Sequence, residues 1–105
     1  MRFVETPVFT TAILRYLDDE QYRQLQIALM LRPEQGPVIK GSGGLRKVRW
    51  ATTGGGKRGG IRIIYCWAPG DSAFYMVYAY TKSAQGDLTP AQTRQLSRVV
   101  REEFK

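Results

Sequence analysis

Hydrophobic and polar residues recur with two different spacings in the first third of the chain, and these spacings predict one strand and two helices. Arg2–Glu5 alternates as a short strand. The range 6–17 starts with a threonine cap and a first-turn proline, and then carries apolar residues three or four positions apart. The range 18–32 starts with Asp18 and Gln21 at the spacing of a capping box, and the proline that follows it ends the second helix.

The rest of the chain predicts three strands and a last helix. A loop rich in glycine and proline covers 33–44, and a hairpin of two strands with a glycine-rich connection covers 45–67. A further strand covers 73–81, and a second capping box with a proline starts a helix over 89–104. The order β-α-α-β-β-β-α predicts an α+β fold with a mostly antiparallel sheet, and 105 residues predict one domain over 1–105.

The strand 73–81 and the last helix each have two distinct sides. Both sides of the strand are largely apolar, which predicts a central position in the sheet. One side is expected to hold Phe74, Met76, Tyr78 and Tyr80, and the other Tyr75, Val77 and Ala79. The inward side of the helix is expected to hold Thr93, Leu96, Val99, Val100 and Phe104, and its outer side a row of Arg94, Arg98 and Arg101 that we interpret as solvated.

Charge and composition narrow the class of function. A net charge of +7 and a pI near 9.9 favour a nucleic acid, an acidic protein or an anionic membrane as partner. No stretch has the length of a membrane-spanning helix and the N-terminus lacks a signal-peptide layout, so we expect a cytoplasmic protein with no membrane partner. With no histidine, and with Cys66 as the one cysteine, Ser–His or Cys–His nucleophiles and closed zinc sites are excluded, and we expect neither a metal nor a cofactor.

Basic residues concentrate in and around the hairpin. No Asp or Glu occurs between Gln35 and Gly70. Because a charge on a sheet needs solvent or an opposite charge, the sequence favours a counter-ion from outside the chain, with a polyanion as first candidate. The basic residues of this region are Lys40, Arg46, Lys47, Arg49, Lys57, Arg58 and Arg62.

The pattern of the two hairpin strands also predicts their register. If Arg49 lies opposite Arg62, and Lys47 opposite Ile64, the apolar and basic residues fall on separate faces of the hairpin. That register places three cations on one face. They would lie next to the glycine-rich connection, which we expect to act as a flexible cationic flap.

Four stretches of the chain, GGLRKVRW (43–50), GKRGGIRIIY (56–65), FYMVYAYTK (74–82) and DLT (87–89), resemble the RelE/ParE superfamily of bacterial toxins, whose fold is related to microbial ribonucleases. The most similar branch is HigB. The resemblance implies the toxin of a type II toxin–antitoxin system, a metal-independent endoribonuclease (mRNA interferase) that cleaves mRNA in the ribosomal A site and inhibits translation. It also implies the ribosome, mRNA and a HigA-like, DNA-binding antitoxin as partners, in the bacterial cytoplasm.

The resemblance assigns roles to residues by their position. Lys47 and Arg49 match the two cations of the family's first hairpin strand, and Arg62 matches the arginine that opens the next. Lys82 falls at the cation that follows the last strand. Tyr80 is a weaker catalytic candidate, for stacking or proton donation, because it lies at the end of its strand and not because of the resemblance. Arg46, Lys57, Arg58 and Lys40 are the candidate RNA-binding residues. Where relatives carry a catalytic tyrosine or histidine, this chain has Leu88 or Thr89, so that role is not carried over.

These residues suit RNA cleavage by the substrate's own 2′-hydroxyl, which needs cations near the charged phosphate oxygens and groups that move protons. Arg49 and Arg62 fit the phosphate, and Lys47, crowded by like charges that favour its neutral form, is the candidate base. Two other functions stay open. One is a ParE-like poison of DNA gyrase, against which the concentrated hairpin cations argue. The other is a non-catalytic RNA- or ribosome-binding module, which the lack of histidine allows.

Overall fold

The computed structural model describes residues 1–51 and 60–104, and within them the strands and helices follow the predicted order. The strands are β1 (Arg2–Glu5), β2 (Arg46–Trp50), β3 (Ile61–Ala68) and β4 (Ala73–Thr81). The helices are α1 (Pro7–Tyr16), α2 (Asp19–Leu31) and α3 (Pro90–Glu103), and a short 3-10 turn at Pro69–Asp71 joins β3 to β4. Most of the predicted flap, with Lys57 and Arg58, lies outside the described residues.

The four strands form one mixed sheet in the order β1-β4-β3-β2. β2 with β3 and β3 with β4 are antiparallel, as expected, whereas the edge strand β1 is parallel to β4. β4 therefore has a neighbour on both sides, which confirms the central position predicted from its two apolar faces. The α+β fold class is confirmed.

Each helix begins at the cap that the sequence predicts. Thr6 accepts a hydrogen bond from the first turn of α1 and also donates one to the Val77 carbonyl at 2.9 Å, which ties the start of this helix to β4. Asp18 with Gln21 forms a reciprocal capping box on α2, and Thr89 with Gln92 forms another on α3. These caps fix where α3 begins relative to the sheet, and the candidate site lies beside that point.

The sheet separates two apolar layers. The helices α1 and α2 pack on one face, where Phe9, Ile13, Leu25 and Leu29 meet the buried side chains of β3 and β4. Helix α3 packs on the other face, where the smaller cluster holds Leu45, Ile64, Val77 and Tyr80, with Leu96 and Val100 packed against it. The candidate functional residues lie mainly on this second side.

A β-bulge in β4 makes the predicted division of its side chains wrong in its second half. Tyr65 pairs with Met76, but the preceding Ile64 pairs with Tyr78, so Val77 is an extra residue in β4. One extra residue shifts the alternation of side chains by one position beyond the bulge. The first core takes Phe74, Met76 and Ala79, and the second takes Val77, Tyr78 and Tyr80.

Helix α3 faces the sheet with the side that the sequence predicts, but the residues fully buried there are polar. Thr93, which was predicted, and Ser97, which was not, are buried, whereas Leu96, Val99 and Val100 are half-buried. The Ser97 hydroxyl donates a 2.5 Å hydrogen bond to the carbonyl of Ser42. The helix is thus joined to the loop before β2 by a buried polar contact, which an apolar pattern does not reveal.

Candidate functional site

Three cations, Lys47, Arg49 and Arg62, lie on the face of the sheet that α3 partly covers, and we call them the cationic face. Arg49 pairs directly with Arg62, and Lys47 pairs with Ile64. This is the predicted register, and it is confirmed. Because directly opposed residues of an antiparallel pair share a face, the three cations lie together.

The cationic face continues onto β4 and becomes more buried along the way. Arg49 on the edge strand is exposed, whereas its neighbour Arg62 is only 4% exposed. Arg62 in turn pairs with Tyr80, which is 2% exposed. The row Arg49–Arg62–Tyr80 therefore runs from solvent into the protein. The bulge at Val77 makes this row possible, because without it Tyr80 would point to the opposite core.

The Tyr80 phenol is an unusual buried group. Its hydroxyl finds no hydrogen-bond partner among residues 1–51 and 60–104. Burial raises the pKa of Tyr80, the negative charge of Asp87 adds to that effect, and the positive charge of Arg62 opposes it. The phenol thus keeps its proton at neutral pH, and its polar atom lies within the fields of a cation and a carboxylate.

A carboxylate of the chain itself joins the cationic face, where the sequence favoured a counter-ion from outside the chain. The Lys47 ammonium donates a 3.0 Å hydrogen bond to Oδ1 of Asp87, in the loop between β4 and α3. Asp87 is 74% exposed at its side chain and Lys47 31% exposed, so this ion pair is open to solvent. The ammonium of Lys47 thus has an anionic partner within the chain, in addition to its cationic neighbours on the sheet.

Asp87 itself is held as a carboxylate. The hydrogen bond from Lys47 lowers the pKa of Asp87 most, the backbone N–H of Leu88 contributes next, and the charge of Arg62 acts in the same direction. The 40 residues between the two partners explain why sequence reasoning missed the pair. One signal was present: Asp87 is the only acidic residue between Asp71 and Glu102, directly before the α3 cap.

A cleft of about 580 Å³ opens beside this ion pair. One wall is the loop from Pro37 to Gly41, and the other is the start of α3. Lys47 and Asp87 lie in its lining, together with Arg94 of the helix. The cleft is large enough to admit part of an extended ligand next to the cationic face.

Arg46, a predicted RNA-binding residue, is not brought to the cationic face. It pairs with Tyr65, whose ring belongs to the core under α1 and α2. Its guanidinium donates hydrogen bonds to the carbonyls of Glu34 and Gly36 at 3.2 and 2.9 Å. The hydroxyl of Tyr65 holds the same loop, because it donates to the Pro33 carbonyl at 2.7 Å. The contacts of Arg46 are those of a side chain that fixes a loop.

The other predicted residues lie around the cationic face. Lys40 is exposed and lines the cleft with Lys47. Lys82 is exposed in the turn directly after β4, two residues beyond Tyr80. Lys57 and Arg58 lie outside the described residues.

Metal-binding clusters and membrane-spanning helices are both absent from residues 1–51 and 60–104. No three His, Cys, Asp or Glu side chains of these ranges come together in a way that could hold a metal ion. None of the helices in the same ranges has both the length and the apolar character needed to cross a membrane.

A mixed sheet with two helices on one face, and with one helix and a cluster of cations on the other, defines a small basic α+β protein. Residues 19–104 match the model of the RelE toxin of the RelE/RelB toxin–antitoxin system. The chain belongs to this family of toxins. Its fold is similar to that of a mutant of the E. coli toxin RelE in the free state, with a TM-score of 0.55 and 13% sequence identity over 79% of this chain and 84% of that one.

Proposed function

We propose that this toxin is a ribosome-dependent endoribonuclease of the HigB branch, which cleaves mRNA in the ribosomal A site and so inhibits translation. The observation that carries the proposal is the row Arg49–Arg62–Tyr80, which lies next to the Lys47–Asp87 pair. A polyanion is the ligand that such a row would favour, and the phenol and carboxylate beside it are groups that can handle protons.

The proposed reaction is an internal transfer at one phosphodiester. The 2′-oxygen of the ribose forms a bond to the phosphorus, the bond from phosphorus to the 5′-oxygen of the next nucleotide breaks, and a 2′,3′-cyclic phosphate remains. Arg49 and Arg62 would bind the non-bridging oxygens, where negative charge grows. Because these guanidinium groups supply the positive charge, the proposed reaction needs no metal ion.

Proton transfer would be divided between two side chains. Asp87, ionised at neutral pH, would accept the proton of the 2′-hydroxyl, and Tyr80, protonated at neutral pH, would donate one to the leaving 5′-oxygen. Lys47 would then act as a cation and not as the base, because its ammonium donates a hydrogen bond to Asp87, the proposed base. Lys82, exposed after β4, would contact the neighbouring phosphate.

Substitutions of Lys47 can distinguish a role as a cation from a role as the base that accepts the proton. We expect Lys47→Arg to keep most of the cleavage rate, because it keeps the cation, and Lys47→Met to lose about tenfold or more, since a hydrogen bond between charged groups contributes about 1.5–3 kcal/mol. Rates of mRNA cleavage on purified translating ribosomes measure both variants. A rate as low for Lys47→Arg as for Lys47→Met would return the role of base to Lys47.

The proposed partners follow from the same role. A toxin of this family needs a cognate antitoxin, and we propose a HigA-like, DNA-binding protein that neutralises it, with the ribosome and mRNA as targets. The cationic face is the surface whose masking would stop cleavage. An acidic segment over the cations, or a strand added to the sheet edge at β2, would achieve this.

One experiment separates the proposed function from its rivals. Expression of the toxin in a bacterial host, with mapping of mRNA 5′ ends, should give growth arrest and new ends inside translated codons. Asp87→Asn should abolish the new ends, and Asp19→Asn, which changes an exposed carboxylate at the start of α2, should not. Arrest with intact mRNA and broken DNA would establish a gyrase poison instead. Ribosome binding without cleavage would establish a non-catalytic module.

A further inference from the structure

The outer side of α3 carries a row of three arginines that the cationic face does not include. Arg94, Arg98 and Arg101 are exposed and follow one another at steps of about 6 and 4.5 Å along the helix axis. None of the three forms a salt bridge within the described ranges. Like charges three or four positions apart destabilise a helix, so this row has a cost that a bound anion would offset.

The loop from Gly41 to Gly43 forms a second wall beside these arginines, around a depression of about 280 Å³. Gly41 and Gly43 both have φ of +75°, and a Cβ at either would meet no atom within 4 Å. The glycines therefore serve the backbone turn and leave an open wall without side chains. Between them, Ser42 is buried and hydrogen-bonded to Ser97 of the helix, so the two walls are joined.

The depression is continuous with the cleft at the candidate site. Arg94 and Gly41 line both of them. The cleft also contains Lys40 and reaches Lys47 of the cationic face. Cations thus line both the cleft, with Lys40, Lys47 and Arg94, and the depression, with Arg94, Arg98 and Arg101.

The lining of the depression indicates the kind of partner. Within the described part of the chain it consists of glycine, serine and arginine residues, with no aliphatic or aromatic side chain among them. A protein partner would need apolar or aromatic anchors there. A phosphodiester backbone needs only cations and hydrogen-bond donors, and it tolerates a bare glycine wall at close approach.

We infer that Arg94, Arg98 and Arg101, with the loop from Gly41 to Gly43, form a second binding surface for an RNA backbone. The inference rests on the proposed function, because it assigns this surface to RNA that continues beyond the strand being cleaved or to structured RNA around it. The surface binds phosphates without reading bases and holds the toxin in position while the cationic face acts.

The test compares two triple variants with the same change in charge. Arg94→Gln/Arg98→Gln/Arg101→Gln removes the row, and Arg15→Gln/Arg23→Gln/Arg32→Gln removes exposed arginines of the α1 and α2 layer. Binding of a labelled single-stranded RNA and of a labelled RNA hairpin is measured by fluorescence anisotropy over a range of NaCl concentrations. Thermal melting establishes that both variants are folded.

The logarithm of the RNA-binding constant falls linearly with the logarithm of the NaCl concentration, and each phosphate contact adds about 0.7 to 0.9 to the steepness of that fall. We therefore expect the α3 variant to make the slope shallower by about 2 to 3. The control should change it much less. If only binding of the RNA hairpin weakens, structured RNA is the source of the phosphates. If only binding of the single-stranded RNA weakens, the source is mRNA. Equal slopes for the two variants would overturn the inference, as would a loss of poly-glutamate binding with RNA binding unchanged.

A second readout separates this inference from the proposed function. On translating ribosomes, the double variant Arg98→Gln/Arg101→Gln, which keeps the Arg94 side chain of the cleft, should need severalfold more toxin for half-maximal cleavage and should keep the rate at saturation. If the wild-type toxin cleaves no mRNA, the proposed function fails, and the salt dependence of RNA binding still decides whether the α3 surface binds RNA.

Discussion

At the scale of single residues, the buried phenol of Tyr80 is the clearest sign of a site built for something other than stability. A buried hydroxyl without a partner costs about 1–3 kcal/mol. Tyr65, a ring of similar burial, has both a donor and an acceptor contact at its hydroxyl. Two tyrosines of one sheet therefore differ in whether their polar atom is satisfied within the described residues.

Removing the hydroxyl of Tyr80 and removing that of Tyr65 should change the free energy of unfolding in opposite directions. We expect Tyr80→Phe to raise the free energy of unfolding by about 1 kcal/mol, and Tyr65→Phe to lower it by about 1–2 kcal/mol. Urea denaturation measures both. Tyr80→Phe should also slow mRNA cleavage by about tenfold or more, because the proposed proton donor is lost. A less stable Tyr80→Phe variant would contradict this description of the phenol.

The Lys47–Asp87 pair should contribute little to stability, and only at some pH values. The pKa of Asp87 is lowered in the folded chain, so its contribution is complete above the ordinary value of 3.8 and is lost as pH falls through the lowered value. Because both side chains are open to solvent, Asp87→Asn should cost less than about 1 kcal/mol at neutral pH.

Urea denaturation of the wild type and of Asp87→Asn, at neutral and at strongly acidic pH, tests whether the stabilisation by Asp87 is lost in acid. The difference between them should be present at neutral pH, should shrink at high salt, and should vanish in acid. A difference that grows in acid would mean that the carboxylate is destabilising in the folded chain.

At the scale of elements, the hairpin shows how much the sequence could predict. Its register followed from one rule, the separation of apolar and basic residues, and that rule had one solution, with Arg49 opposite Arg62. The bulge at Val77 had no such signal. A bulge of this kind needs no glycine, and both faces of β4 are apolar, so a shift by one residue changes no polar pattern.

The end of the hairpin depends on one glycine. Gly60 has φ of +52°, and a Cβ there would lie 2.2 Å from the Trp50 carbonyl oxygen, a backbone atom. We expect Gly60→Ala to destabilise the chain by about 2 kcal/mol or more. Gly70, where a Cβ meets nothing within 4 Å, is the matched control and should tolerate alanine with little change. Thermal melting of the two variants tests this, and equal melting temperatures would contradict it.

At the scale of the whole molecule, the site depends on contacts between residues far apart in sequence. Lys47 meets Asp87 across 40 residues, and Ser42 meets Ser97 across 55. Local patterns predict the strands, the helices and their caps, because these depend on neighbours in sequence. They do not predict which loop comes to lie beside which strand. The cations of the sheet and the arginine row of α3 were therefore predicted, whereas the carboxylate beside the first and the glycine loop beside the second became visible only in the folded chain.

The most direct test of the central claim is the single-turnover rate of mRNA cleavage on stalled ribosomes. Arg62→Gln removes the buried cation of the row, and Arg15→Gln is the control on the other side of the sheet. If Arg62 stabilises the charge on the phosphate, Arg62→Gln should lower the rate about 10²–10³-fold, and the control should leave it unchanged. Cleavage by Arg62→Gln at the wild-type rate, with the fold intact, would contradict the account.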